Sequence, residues 1–351
     1  MRFENINMLN DTMAIMDRGY YEVNGKRVNL KLSKKEMKEI SVFLPKDVKR
    51  ISDSKDFQHV HVMGRIGVGC VNMDSYSLAI KRYSDCSYMF NKKSKPILVL
   101  NLANPVNPGG GVRRGSKAQE EDLCRKSSLL LSLESSKASA YYKYNKSLNT
   151  YMGSDAVMIT PQVEIIKDEK GNLLDESVIV SVMTCAAPML RDGMEGLTDQ
   201  EYQDMVYGRI TGMLKVAAHL GYEVLILGAF GCGAFANDAH VVSDLFYKAL
   251  KEFDYDGMKA KDFFRRIDFA VLSRSADQYN YKEFARNFND FYREENAAEV
   301  AYALEKIKKT EKNLDKIRGS LVGGAIGDAL GQCDSIRLIW QSSSESCGSC
   351  S

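Results

Sequence analysis

Three consecutive glycines, Gly109 to Gly111, followed seven residues later by Gln119-Glu120-Glu121, constrain this chain more than any other stretch. Upstream, Ile97-Leu98-Val99-Leu100 reads as a buried strand. The segment from Asn101 to Glu121, NLANPVNPGGGVRRGSKAQEE, then holds two of the chain's six prolines, Pro105 and Pro108. Leu123, Ser127, Leu130 and Leu131 predict a helix over 120–134. Adjacent glycines lose much backbone entropy on folding, so a loop that keeps three needs positive φ or a close backbone approach to something bulky. Amides in such a turn form an anion-binding concavity, and prolines stiffen its approach.

Glu120 and Glu121 put carboxylates within a few residues of that concavity. A carboxyl group beside a diphosphate suits cleavage at a sugar carbon, because it can protonate the leaving oxygen and the diphosphate raises its pKa. A structural reading competes. Ser116-Lys117-Ala118-Gln119 matches a capping box, and acids in a first turn complement the helix dipole. On spacing alone, structure outweighs catalysis. Capping leaves the triple glycine unexplained.

A second strand-to-helix turn repeats the theme. Val224 to Leu227 reads as a strand running into Gly228, and Gly228, Gly231 and Gly233 precede a helix whose expected cap is Asp238. Its apolar face is Val241, Val242, Leu245, Phe246, Ala249 and Leu250. A diphosphate over these amides would also meet the positive helix end. Alone, such a turn is as readily explained by tight packing. Paired with the first loop it reads as a clamp.

Elsewhere the chain alternates strands and helices. Asp11 to Arg18 reads as a short helix, Tyr20 to Leu30 as a hairpin turning at Asn24-Gly25, Val68 to Val71 and Val178 to Val182 as strands, and Glu201 to Leu220 as a helix ending at Gly221. Phe269 to Leu272 reads as a last strand before a helix over 282–292. Helices on both faces of a mixed sheet follow, with ligands at strand carboxyl ends. Tyr141-Tyr142-Lys143-Tyr144 could stack on a base, though packing is the more ordinary role. His59-Val60-His61 is a conceivable metal pair without further ligands nearby, so no metal is expected. Asp74 or Ser75 reads as a helix cap.

Lys and Arg number 48 against 46 Asp and Glu, a net charge of +2, so nothing global points to nucleic acid or an anionic membrane. Arg113, Arg114 and Lys117 gather positive charge in the first loop, either for a phosphate-rich ligand or simply as solvated charge. There is no long apolar stretch or signal-like N-terminus, and the eight cysteines show no disulfide framework. A reduced, cytoplasmic protein is expected.

Gly-Gly-Gly, seven residues, then Gln-Glu-Glu resembles the signature of the poly(ADP-ribose) glycohydrolases, and the surrounding residues resemble the bacterial type. Tyr151 to Val163, Thr184 to Pro188 and Gly228 to Asp238 match further segments in the family's order, over roughly 72–291. Met189 stands where Asn is expected, and Phe230 where Trp is common. The resemblance implies a macrodomain-like three-layer α/β/α fold with a mixed central sheet and an N-terminal helix/hairpin extension. It implies an accessory extension at 1–60 and a glycohydrolase domain at 61–292. Beyond these, 293–317 reads as a charged linker helix. Residues 318–351 open with RGSLVGGAIGDALG, which resembles the first helix of the unrelated ADP-ribosylglycohydrolases and is expected to be a truncated start with a disordered tail.

The implied activity is hydrolysis of the ribose–ribose O-glycosidic bond at chain ends, releasing ADP-ribose without a cofactor. Alternatives are a mono-ADP-ribosyl hydrolase on protein or nucleic acid and a non-catalytic ADP-ribose reader. By resemblance Glu121 is the acid and Glu120 holds ribose hydroxyls. Asn101, Asn104, Gly109, Gly110, Gly111, Gln119, Gly231, Cys232, Gly233, Ala234, Phe235 and Asn237 line the ligand site. Phe235 is expected against the terminal ribose. The expected partner is ADP-ribose polymer or ADP-ribosylated protein, with no membrane or direct nucleic-acid binding, and the protein is expected to be a monomer.

Overall fold

A computed structural model of the chain describes residues 2–55, 65–86 and 95–291. The chain divides into two units, Met1–Asn289 and Asp290–Ser351. The expected linker at 293–317 and the segment at 318–351 lie outside the described residues, as does His59-Val60-His61.

The chain opens with helix α1 (Arg2–Arg18), hairpin strands β1 (Tyr20–Val23) and β2 (Lys26–Asn29), strand β3 (Ser41–Phe43) and helix α2 (Pro45–Ser52). Strand β4 (Gly67–Val71), helix α3 (Ser75–Cys86) and strand β5 (Leu98–Leu102) lead into the first glycine loop. Helices α4 (Gln119–Lys126), α5 (Leu129–Leu133) and α6 (Ser139–Leu148) precede the long pair β6 (Val157–Lys167) and β7 (Leu173–Cys185). Helix α7 (Asp199–His219), strand β8 (Val224–Leu227), helices α8 (Ala239–Lys251) and α9 (Ala260–Phe263), strand β9 (Arg266–Ala270) and helix α10 (Tyr279–Phe288) complete the unit.

Seven strands form one mixed sheet in the order β3-β6-β7-β5-β8-β9-β4. β7, β5, β8, β9 and β4 run parallel, while β6 is antiparallel to both β7 and β3. The two faces are written into the strands with period two. Leu98, Leu100, Leu225 and Leu227 meet Ile210, Met213 and Leu214 of α7 and Phe246 of α8. Val99, Val224 and Ile226 instead join the core that holds Tyr76, Leu78 and Ala79 of α3 and Leu123 of α4. Three layers result, because parallel strands buried on both faces need helices on each side.

The hairpin forms as expected, with Asn24 and Gly25 both at positive φ. Helix α1 is longer than the expected 11–18, reaching back to Arg2. β3 places part of the leading segment in the central sheet. Behind it, the buried carboxylate of Glu164 accepts from the backbone N–H groups of Lys31 and Leu32 at 2.8 and 3.0 Å and from Ser177 Oγ at 2.6 Å.

The expected single helix at 120–134 is two helices. Ser127 leaves the helix in an extended conformation, bridges Ile165 of β6, and Ser128 exchanges hydrogen bonds with the Glu164 backbone. The serine pair offers the backbone a sheet partner that outcompetes the next helical turn. The last strand starts earlier than the expected 269–272, at Arg266, and the helix after it at Tyr279. Tyr141 and Tyr142 are core residues packed edge to face at 5.2 Å.

Candidate active site

The loops after β5, β7, β8, β9 and β4 all leave the sheet at strand carboxyl ends, and a cleft of about 1010 Å³ opens there. Gly110, Gly111, Glu120 and Glu121 from the first glycine loop and α4 line it together with Gly231, Gly233, Ala234 and Phe235 from the second. Two stretches more than a hundred residues apart in sequence therefore meet over one cavity.

The first loop is built around its glycines. Gly109 and Gly110 both have positive φ, at 66° and 57°. A Cβ on Gly110 would stand 2.6 Å from Oε1 of Glu121 and 3.1 Å from Oε2 of Glu120. The backbone N–H of Gly111 donates to Glu121 Oε1 at 2.8 Å. The glycine run is thus the seat of the two carboxylates, which only a backbone without side chains can approach so closely. Glu121 is 7% exposed, and its other oxygen, Oε2, is buried without a hydrogen-bond partner.

Glu120 lies deeper, at 2% exposure. Its Oε2 accepts from the Asn104 N–H at 2.8 Å, and its Oε1 receives a long contact of 3.4 Å from Asn101 Nδ2. Burial pushes its pKa up to about 8, and the neighbouring Glu121 adds to the rise against the opposing hydrogen bonds from Asn104, Asn101 and Gly109. A carboxyl group in this state carries a proton near neutrality and can donate as well as accept.

Ser116 to Gln119 does not form the expected capping box. α4 starts after Ala118 with no side-chain cap. Gln119 instead reaches the sheet: its Oε1 accepts from Leu102 N–H at 2.8 Å, and its Nε2 donates to Leu100 O at 2.7 Å and Ser75 Oγ at 3.1 Å. Those bonds nail the start of α4 to the end of β5 and to the start of α3. Asn101 is fully buried beneath the pair and also contacts Thr184 Oγ1 at 3.2 Å. Asn104 lines the cleft while its Oδ1 turns back to accept from Val106 and Asn107 N–H. Asp74 accepts from Ser77 N–H and caps α3 at the cleft edge.

The second loop is held from within. Gly231 has φ +78°, and a Cβ there would come within 2.6 Å of the Ala187 side chain. Asn237 Nδ2 donates to Pro188 O at 2.7 Å and Gly231 O at 3.1 Å, while its Oδ1 accepts from Tyr202 OH at 2.7 Å. Asp238 caps α8 through Val241 N–H. Phe235 is half-buried at the cleft wall and Phe230 buried there. The Cys232 thiol turns back to the Phe230 carbonyl, and burial pushes its pKa far above the usual thiol value. A thiol in that state is a poor nucleophile.

Sequence reasoning missed the supports. Arg209 of α7, almost fully buried, donates to Met152 O at 3.0 Å and Ala186 O at 2.9 Å and pairs with Asp155, tying the end of β7 and the segment before β6 to α7. Asn280 of α10 donates to Cys232 O at 3.1 Å. Most of all, α1 braces the first loop. Arg2 Nε donates to Arg114 O at 2.8 Å, Asn5 Nδ2 to Gly115 O at 3.0 Å, and Thr12 Oγ1 to Arg125 O. Gly115, at φ +75°, lies so near that a Cβ would stand 2.6 Å from Arg2 O. Of the loop cations, Arg113 turns away to a bidentate pair with Glu134, whereas Arg114 and Lys117 line the cleft. Among the described residues no cluster of His, Cys, Asp and Glu could hold a metal ion, and no helix is long and apolar enough to cross a membrane.

This arrangement can do acid-assisted chemistry on a ligand lying in the cleft. A family model of the microbial-type PARG catalytic domain matches residues 10–168, which include the first loop and α4. The structure of a poly(ADP-ribose) glycohydrolase from Thermomonospora curvata bound to the inhibitor ADP-HPD superposes with a TM-score of 0.71 at 25% identity, covering 82% of this chain and 100% of that one. One from Deinococcus radiodurans in complex with ADP-ribose superposes with a TM-score of 0.61 at 27% identity, covering 76% of this chain and 98% of that one. No curated protein matches the chain.

Proposed function

The chain resembles the bacterial-type poly(ADP-ribose) glycohydrolases in motif and in fold, and from that premise we propose that it hydrolyses the ribose–ribose O-glycosidic bond of poly(ADP-ribose), releasing ADP-ribose. The observation that carries the reading is Glu121, held by one oxygen to Gly111 N–H while the other is buried and unpartnered in a cleft that both glycine loops line. The second-loop amides of Gly231 and of Gly233 to Phe235 take the diphosphate, and Phe235 packs against the adjoining ribose. Holding sugar and acid in one frame supplies the proximity the step needs.

Glu121 gives its proton to the departing ribose oxygen as the bond to the anomeric carbon breaks. The oxocarbenium-like state is stabilised by the adjacent diphosphate and by the Glu121 carboxylate left after proton transfer. The same carboxylate then takes a proton from the attacking water. Glu120, protonated through burial, hydrogen-bonds the ribose hydroxyls. Release from chain ends is the mode the resemblance implies. Glu121→Gln should lower ADP-ribose release by about 10³-fold, within the range of general acid–base contributions, while calorimetry shows ADP-ribose binding retained. Turnover at the wild-type rate would remove Glu121 from the role; binding without any release by the wild type would leave an ADP-ribose reader.

A further inference from the structure

The second glycine loop is held from outside the cleft as well as from within. Between β7 and α7 the chain runs past it as a strap, residues 188–191, and three hydrogen bonds join the two. Pro188 O accepts from Asn237 Nδ2 at 2.7 Å, Leu190 N–H donates to Phe235 O at 2.8 Å, and the Arg191 guanidinium donates to Ala234 O at 2.8 Å. Other bonds tie the strap to the segment after α6. Met189 N–H donates to Tyr151 O at 2.9 Å, and the Glu195 carboxylate accepts from Tyr151 N–H at 2.6 Å and from Thr150 Oγ1. Ala234 and Phe235 line the cleft, whereas Leu190 and Arg191 do not.

These bonds decide which way the loop's amides face. No peptide bond among the described residues is cis, and in a trans peptide the carbonyl and the N–H point in opposite directions. With the Phe235 carbonyl turned to Leu190, the N–H of Ala236 points the other way and is taken by Gly233 O at 3.1 Å. With the Ala234 carbonyl turned to Arg191, the N–H of Phe235 points away from the strap. That N–H has no acceptor among the described residues. Arg191 pairs with no carboxylate among them, so its charge acts on the Ala234 carbonyl. A charged donor there polarises the peptide and strengthens the N–H at its other end.

We propose that Arg191 is a positioning residue: from outside the cleft it fixes and polarises the Ala234–Phe235 peptide, so that the Phe235 N–H donates to an oxygen of the bound diphosphate. The inference rests on the glycohydrolase reading above for the presence of a diphosphate over this loop. Arg191 is exposed and touches no ligand itself; its effect passes through one peptide group.

The test compares the full chain with Arg191→Met, which keeps much of the side chain's length but no charge or donor, and with Arg191→Lys, which keeps a charge and a donor. Calorimetry gives the affinity for ADP-ribose, and proton–nitrogen correlation spectra of protein labelled at phenylalanine nitrogen follow the Phe235 amide. In the wild type that amide proton should move downfield when ADP-ribose is added. In Arg191→Met the movement should shrink and Kd should rise about tenfold, the scale of one hydrogen bond to a charged group. Its KM for poly(ADP-ribose) should rise with kcat little changed. Arg191→Lys should recover most of each loss. A wild-type downfield movement or an unchanged Kd in Arg191→Met overturns the role. Equal losses in the Met and Lys variants overturn it too, because they would leave Arg191 as packing only. A wild type that neither binds nor releases ADP-ribose defeats the glycohydrolase reading and the inference with it, whereas the variant results overturn the inference alone.

Discussion

The backbone N–H of Gly111 donates to Oε1 of Glu121 over 2.8 Å, so the glycine turn and the helix bearing the acid form one rigid unit. The carboxylate is aimed by main chain, with no flexible side chain between.

Gly110→Ala should disable the enzyme without unfolding it. The new methyl would stand 2.6 Å from Glu121 Oε1 at a residue with φ +57°. The left-handed conformation alone costs an ordinary residue about 1 kcal/mol. Expected are a kcat reduced by about 10²-fold, a melting temperature a few degrees lower and an unchanged circular dichroism spectrum. Wild-type kcat would show that the carboxylate is not seated there.

Glu120 makes stability depend on pH. Its folded-state pKa of about 8 exceeds the ordinary value of 4.5 because burial disfavours its charge. Between those values the folded protein keeps a proton that the unfolded chain releases, so stability is full below the lower value and is lost as pH rises through the upper one. Glu120→Gln should remove this slope. At pH 8 the variant should gain on the wild type by roughly 4 kcal/mol relative to pH 4.5, read by denaturant unfolding across pH. Parallel pH profiles for the two proteins would contradict it.

Asn237→Ala should loosen the second loop and cost affinity. The amide bridges Pro188 O, Gly231 O and Tyr202 OH from a buried position, and buried partners left unsatisfied cost about 1–3 kcal/mol each. Calorimetry should show ADP-ribose binding weakened by about 10–100-fold, with Tyr202→Phe milder because it removes one bond. Equal affinities for all three proteins would relieve Asn237 of this role.

Gly115→Ala tests the brace from α1. A Cβ would meet Arg2 O at 2.6 Å, with φ at +75°. Strain of this kind costs about 1–3 kcal/mol, and relief requires the start of α1 to move away. Limited proteolysis should then cut within α1 faster than in the wild type, and kcat should fall with KM little changed. Unaltered proteolysis would mean that α1 docks without this contact.

Both glycine loops and their meeting at one cleft were legible in the sequence, because glycine and proline break the hydrophobic pattern at those points. β8 lies where its four apolar residues put it, Val224 to Leu227. The hairpin at Asn24-Gly25 was equally plain, since few other residues adopt its backbone angles. What could not be read depends on contacts distant in sequence. Arg2 meets Arg114 across 112 residues, and nothing local in α1 announces it. Gln119 looked like a cap because its spacing from Ser116 fits one; strand β5, nearer in space, takes its amide instead. The break at Ser127 is of the same kind, decided by Ile165 and Glu164 of another strand.

Helix α4 is fastened at both ends, to β5 and α3 through Gln119 and to β6 through Ser127. Two turns of helix so pinned have no room to slide or rotate. A carboxylate carried on it cannot be retuned for a new substrate by small shifts of the scaffold. Changes in what this enzyme accepts must therefore arise at the rim, in segments such as the β6–β7 turn and the start of α1, while the reacting centre stays put.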